Sequence, residues 1–295
     1  MVQGKSIYVI KTVSYILMGL VVLTCILPFI MILSASLSTE SGLTTHGYGI
    51  LPRNFTVEAY RIVISNGATL FRAYAVTIIT TIIGSFLNLM ITAFTAYPLT
   101  RKDYKLRGKV SFLLYFTMLF SGGQIPSYLL ISQYLHLTNN PWVLIIPSLM
   151  GVYNVFVMRT YFAAIPDSLI EAAKIDGAGE YYILFKIIIP MSITGMATLL
   201  LLISLGFWNQ WYACLMYMSD DKYITLQYYL HRIMSNIEAM LKNSEMGIIS
   251  VSTSDLPSET ARMAICVLSA GPMIIVCMFF QKYFVHGISV GSVKG

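Results

Sequence analysis

The sequence predicts an all-α membrane protein with six transmembrane helices, forming one domain over residues 1–295. Three observations predict this. Charged residues make up 11% of the chain and apolar residues 57%, with a mean hydropathy of +0.72, whereas a soluble domain carries about 25% charged residues. Asp, Glu, Lys and Arg are absent from five long windows, 12–39, 73–100, 110–158, 187–219 and 263–281. A helix needs about 20 apolar residues to cross a hydrocarbon core of about 30 Å. The third window is long enough for two crossings, and Leu-Thr-Asn-Asn-Pro-Trp at 137–142 is a turn signal inside it. A net charge of +6 would point to nucleic acid in a soluble protein; here the basic residues are topology determinants, and no nucleic-acid partner is expected.

The first span, 12–36, has a basic start in Lys5 and Lys11. Its apolar run exceeds the core of about 7–15 residues usual for a signal peptide, so a retained helix is expected, although Ser34-Ala35-Ser36 resembles a cleavage site. The outer segment 39–71 holds Gly42, Gly47, Gly49 and Pro52, then turns helical over 57–64 and leads into span two, 73–98. The next loop carries Arg101, Lys102, Lys105, Arg107 and Lys109 against Asp103 alone, which marks it as cytoplasmic. Alternation then places both termini and the segment around Glu171 inside. Spans three and four are expected at 110–134 and 141–163, followed by a polar loop at 166–190 and span five at 190–216. The outer loop 217–261 precedes span six, 262–283. Between positions 220 and 262 it holds six acids and four bases, so it lacks the basic excess of an inner loop. Within it, 226–240 has mixed helical spacing and 243–258 is a Ser-rich, mobile loop.

Several function classes are disfavoured. No G-x-x-x-x-G-K-[ST] loop occurs, so the chain does not hydrolyse ATP by that route. The spans hold no ionisable relay of the kind proton-driven carriers use; a sodium-coupled carrier using backbone carbonyls stays open. A membrane enzyme would have to work with Asp167, Asp220, Asp221 and their neighbours, and no catalytic set is assigned. Cys25, Cys214, Cys266 and Cys277 fall inside the spans without metal-like spacing and read as small apolar fillers.

The most distinctive segment is EAAKIDGAGEYYILFKIIIP at 171–190. It is a polar stretch of helix–turn–helix length between two membrane-grade runs. Pro166 precedes a helix start with Asp167 or Ser168 as the cap. Ala172 and Ala173 have no bulk, so a second surface can approach closely. Gly177 sits where the helix must stop and turn, because glycine takes positive φ at little cost. A second helix follows from about Gly179, and Pro190 opens span five. Leu169, Ile170, Ala173, Tyr182 and Phe185 form an apolar dock, while Glu171 and Asp176 are available to basic groups of a partner. An ordinary interfacial helix with a glycine turn is the plainer alternative.

Glu-Ala-Ala, three residues, Gly, and then Ile-Ile-Ile-Pro resembles the cytoplasmic loop of permease subunits in binding-protein-dependent ABC importers, and the Asp-Gly-Ala wording is similar to the carbohydrate-uptake branch. SGGQIPSYLL at 121–130, NVFVMRTYF at 154–162, FWNQW at 207–211 and QKYFVHGISVGSVKG at 281–295 extend the likeness to the smaller permease of oligosaccharide importers, nearest the aldouronate and complex-oligosaccharide subgroup. The resemblance implies a type I importer half-pore in a bacterial cytoplasmic membrane. Its implied partners are a second, homologous permease, two ATPase subunits that bind ATP and Mg, an extracytoplasmic sugar-binding lipoprotein and an oligosaccharide. It also implies that Glu171, Ala172, Ala173, Asp176, Gly177, Ala178 and Tyr182 form the coupling helix and its turn. Arg159 would contact this knob or the ATPase, or would simply snorkel. The tail at 291–295 would reach toward the ATPase interface. A permease for a non-sugar solute, or a secondary carrier, remains the alternative.

Sugars are recognised by aromatic faces and by amides and hydroxyls at their rims, and polar residues inside spans face a cavity or another helix. On that basis the substrate-path candidates are Gln124, Tyr128, Tyr153, Asn154, Trp208, Asn209, Trp211 and Tyr212, with Asn88 in span two. Trp211 and Tyr212 read equally as aromatic-belt anchors. Asn88 and Asn154 read equally as helix-to-helix bonds.

Overall fold

The computed structural model describes residues 5–65, 67–245 and 259–291. Among these residues the chain is helical, and its extended pairing is one isolated bridge between Ser38 and Phe55. Among the described residues, three helices are long and apolar enough to cross a membrane: Ile10–Ser36, Ala68–Thr100 and Glu259–Gln281. Two bent pairs bring the number to five if each is one crossing: Pro141–Ser148 with Val152–Ala163, bent by 51°, and Glu180–Met191 with Ile193–Trp208, bent by 82°.

The expected third span, 110–134, is not a continuous helix. Helix α5 (Arg107–Leu119) has 13 residues, about 20 Å of rise. Residues 120–123 leave the helix, with Gly123 at φ +88, and α6 (Gln124–Leu129) resumes and runs into a π-helical turn, Leu130–Tyr134. Ser121-Gly122-Gly123 before Pro126 supplies the reason, since glycine adopts the left-handed turn and the following helix then needs a fresh start. The fourth span also departs from one helix: two 3-10 turns, Pro141–Leu144 and Ile146–Ser148, precede α7 (Val152–Ala163). The fifth begins upstream of 190, and its helical path ends at Trp208, before α12 (Tyr212–Tyr217).

The chain forms two compact units. The first comprises residues 1–67 and 232–271. Its helix α1 (Lys5–Ser36) is apolar all round, and none of its most apolar window is buried, as suits a helix facing lipid. Helix α2 (Glu40–His46) is a turn that sequence spacing did not single out, capped by the Thr39 hydroxyl, which accepts from Gly42 N at 3.2 Å. Helix α3 (Glu58–Ile64) matches the expected surface helix. The Glu40 carboxylate accepts from the Glu259 and Thr260 amides at 3.1 Å each. It thereby supplies the negative cap that favours the N-terminus of α14 (Glu259–Gly291).

The second unit comprises residues 68–231 and 272–295. Its core joins Leu89, Ala93, Ala96 and Leu99 of α4 (Gly67–Thr100) to Val155, Met158 and Phe162 of α7, Ile170 of α8 (Asp167–Ile175), and Met196, Leu199, Ile203 and Phe207 of α11 (Ile193–Trp208). Small residues let the helices close up, as is usual between membrane helices: the face of Gly84 meets the Phe207 ring directly. Cys214 is buried beside Ile131, Val143 and Leu144. Helix α13 (Leu226–Glu245) exceeds the expected 226–240. Positions 246–258 of the expected polar loop and 292–295 of the tail lie outside the described residues.

Candidate functional site

Helix α8 is built as a short presented element. Pro166 stands at its N-cap with φ −60, and no side chain caps it. The expected cap role of Asp167 or Ser168 is therefore not seen; Asp167 instead accepts from Lys102 Nζ at 2.7 Å. At the other end, Gly177 has φ +83. Gly177 N donates to Lys174 O at 3.0 Å and Ala178 N to Ala173 O at 2.9 Å, the paired bonds of a Schellman turn. Helix α9 (Glu180–Ile183) follows, continuing through Leu184–Ile188 to α10 (Ile189–Met191) and α11.

The expected apolar dock divides into two faces. Ile170 is buried in the chain's own core, and Ala173 and Ala178 pack partly against it. They anchor the element and are not its outer surface, because a nine-residue helix needs an apolar stripe of its own to stay docked. Phe185 stands edge-on to Phe94 at 5.8 Å. Leu169, Glu171, Ala172, Ile175, Asp176, Tyr181 and Tyr182 face outward. Ile175 is 86% exposed. Arg159 does not reach this surface: its Nη1 donates to Ser111 Oγ at 3.3 Å, tying α7 to α5.

Around α8 the charges are paired. Lys174 Nζ lies 2.8 Å from Asp103 Oδ2 and 2.8 Å from Glu180 Oε1. Asp103 also meets Arg101 at 3.4 Å, and Tyr97 Oη donates to Glu180 Oε2. The hydrogen bond from Lys174 holds the Asp103 carboxyl below its ordinary range, and bonds to Asp103 and Glu180 hold the Lys174 ammonium above its own. The hydrogen bond from Lys102 likewise lowers Asp167.

A second region gathers part of the predicted substrate path. A cavity of about 420 Å³ is lined by Asn88, Ser148, Gly151, Asn154, Asn209, Gln210, Trp211 and Tyr212 among others, within the usual size of ligand pockets. Asn88 Nδ2 donates to Ser148 O at 2.7 Å while its Oδ1 accepts from Thr92 at 3.2 Å, so it joins helix to chain as well as bordering the space. Asn209 accepts from Gln227 at 3.2 Å. Trp211 stacks on His231, with centroids 4.6 Å apart and planes at 10°, and meets Tyr212 edge-on. The buried Gln210 Oε1 has no hydrogen-bond partner, leaving an acceptor unused.

Asn154, Asn209, Trp211 and Tyr212 thus come together around one cavity, with Asn88, and four other candidates do not. Trp208 is 5% exposed, within the packed interior. Tyr128 stacks on Tyr217 at 5.7 Å, and Gln124 Nε2 lies 3.9 Å from Met216 Sδ. Tyr153 lines a separate groove with Tyr115, Met118 and Phe156. Gln210 was missed, although an amide between Asn209 and Trp211 in a charge-free window was a readable signal.

The sequence profile described as "Binding-protein-dependent transport system inner membrane component" matches residues 4–290. The chain belongs to that family. This permease is 35% identical over 274 residues to the polygalacturonan/rhamnogalacturonan transport system permease protein YtcP of Bacillus subtilis, covering 92% of this chain and 94% of that protein. It is 34% identical over 272 residues to Protein LplC of the same organism, covering 92% and 90%. It also superposes, with a TM-score of 0.78 and 30% identity over 96% of its length and 99% of the other chain, on a chain from the crystal structure of a bacterial ABC transporter involved in the import of the acidic polysaccharide alginate. The resemblance seen in the motifs is borne out, and the permease is a transport subunit of the inner membrane.

Proposed function

We propose that this permease forms half of the pore of an ATP-driven, binding-protein-dependent oligosaccharide importer. The second half is a homologous permease, two ATPase subunits bind ATP and Mg, and an extracytoplasmic sugar-binding protein or lipoprotein delivers the substrate. The chain itself carries no ATPase chemistry. It crosses the membrane six times, with the interrupted stretch α5–α6 as the third crossing and with both termini and α8 in the cytoplasm. The saccharide names of its relatives support the substrate class.

One observation carries the coupling assignment. Between positions 167 and 180, Asp167, Lys174 and Glu180 are paired within the chain, while Glu171 and Asp176 are outward-facing and unpaired among the described residues. A helix closed by a Schellman turn and pinned by Ile170 presents these two carboxylates beside the bare Ala172 and the apolar Ile175 and Tyr182. That is a surface shaped for a basic partner. ATPase closure pushes on it, and the half-pores rock between inward- and outward-facing states. The cavity at Asn154, Gln210, Trp211 and Tyr212 then lies on the sugar's path.

Glu171→Lys tests the assignment in the reconstituted complex. An exposed, unpaired position tolerates substitution within about 0.5 kcal/mol, so the permease stays inserted while the ATPase dissociates or sugar-stimulated turnover is lost. Normal assembly together with normal sugar-stimulated ATP hydrolysis would refute it. Stimulation by amino acids or phosphate and not by saccharides would move the substrate class to a non-sugar solute.

A further inference from the structure

Ile170 is the one buried side chain of α8. Ile170, with Ala173 and Ala178 packed partly beside it, fixes where the nine-residue helix sits. Charge adds ties at both of its ends. Lys174 lies four residues after Ile170, on the same face of the helix, and pairs at once with Asp103, in the turn after α4, and with Glu180, the first residue of α9. Glu180 in turn accepts from Tyr97 of α4, and Asp103 from Arg101, four residues beyond Tyr97. The five side chains form a chain of contacts that starts on the last turn of α4, at Tyr97, and ends just past it, at Arg101. A second tie holds the opposite end of α8, where Asp167 meets Lys102. Both ends of the presented helix are therefore fastened to adjacent residues of one turn, 102 and 103.

We propose that Lys174 is a positioning residue that locks α8 to the end of α4, so that a displacement of α8 is delivered to α4 as well as along α9–α11. This rests on the coupling role of the Glu171 surface. It gives the basic turn a second function beyond orientation in the membrane. A long helix running from Gly67 to Thr100 carries Asn88 at the cavity, so the lock joins the push site to the pore by one continuous element. Without it the push would pass through the apolar core that α8 shares with α4 and α7 and along the bent path α9–α11, broken at Ser192, with no polar tie to the end of α4.

The test uses the whole complex in liposomes, with its binding protein and saccharide, and reads uptake per ATP hydrolysed. Lys174→Met keeps the ATPase subunits bound and keeps ATP hydrolysis, but uptake per ATP falls by about three- to tenfold, the range set by losing two half-exposed ion pairs at once. Lys174→Arg retains uptake per ATP, because the charge and its two partners remain. Asp103→Asn, which spares the Lys174–Glu180 pair and the apolar side of α8, lowers the ratio in the same direction and decides the matter if the Lys174→Met complex does not assemble. Unchanged uptake per ATP in both Lys174→Met and Asp103→Asn would overturn the proposal. Glu171→Lys separates the two layers: if it leaves the ATPase attached and stimulated, the coupling surface itself is wrong; if it releases the ATPase while the other two variants behave as wild type, only the lock is wrong.

Discussion

Gly84 on α4 offers a test of the packing that shapes the cavity. A Cβ added there would stand 2.5, 2.6 and 2.9 Å from three carbons of the Phe207 ring, against about 3.4 Å for the start of ordinary contact, so the pair must separate by about 0.9 Å (3.4 − 2.5). Phe207 is 4% exposed and packed in the main core, so its ring can give way only toward the cavity that it borders. Overpacking of this kind costs about 1–3 kcal/mol. Against it stands the gain of about 1 kcal/mol from replacing glycine by alanine inside a helix. A hard overlap with a buried ring belongs at the upper end of the range, so Gly84→Ala should destabilise by about 1–2 kcal/mol. Gly19 on α1 is the matched control, since a Cβ there meets nothing within 4 Å; Gly19→Ala should be neutral or stabilising by up to about 1 kcal/mol. Thermal unfolding of both variants and the wild type in one detergent, followed as loss of the monodisperse species, reads the difference in sign. The displaced Phe207 also borders the cavity, so saccharide uptake should fall in the Gly84→Ala complex. A Gly84→Ala protein as stable as Gly19→Ala would refute the close approach of α4 and α11.

Three further predictions follow from the same geometry. Gly177→Ala meets nothing within 4 Å, so its cost is purely that of an L-residue at φ +83, about 1–2 kcal/mol, and limited proteolysis should cut more readily between α8 and α9 while the spans stay intact. Gln210→Leu removes a buried acceptor that bonds nothing; thermal stability should hold or rise, while uptake falls about fivefold or more if a sugar hydroxyl uses that oxygen, and unchanged uptake would remove Gln210 from the path. The groups facing the lock are Tyr97, Arg101, Lys102, Asp103, Asp167, Lys174 and Glu180. Asp103 is held low, so its contribution is present above the ordinary carboxylate pKa of about 3.9 and is lost as pH falls through its lower folded value; Lys174 is held high, so its contribution is present below about 10.4 and is lost as pH rises through its higher folded value. Uptake per ATP should therefore be flat from about pH 5 to 9, and a midpoint near neutrality in a pH titration of the complex would show that a different group controls coupling.

The sequence by itself determined where this chain is apolar and where it turns, and it singled out the polar segment proposed to meet a partner. The charge-free windows locate the membrane-grade helices because hydropathy is additive over about 20 residues and needs no partner to be read. Gly177 announced its turn because backbone sterics are local, and Glu-Ala-Ala at 171–173 marked the presented helix. What only the tertiary structure decided is direction around each helix axis and continuity across each span. Ala173 and Ala178 turn inward, Trp208 enters the core, Arg159 reaches Ser111, and the 110–134 stretch breaks at Gly123. Composition is blind to such choices, since a side chain's orientation depends on what packs against it from far along the chain. The basic turn shows the difference most plainly: its charges are read along the sequence and predict a cytoplasmic loop, but only the approach of α8 and α9 gives Asp103 a lysine to hold.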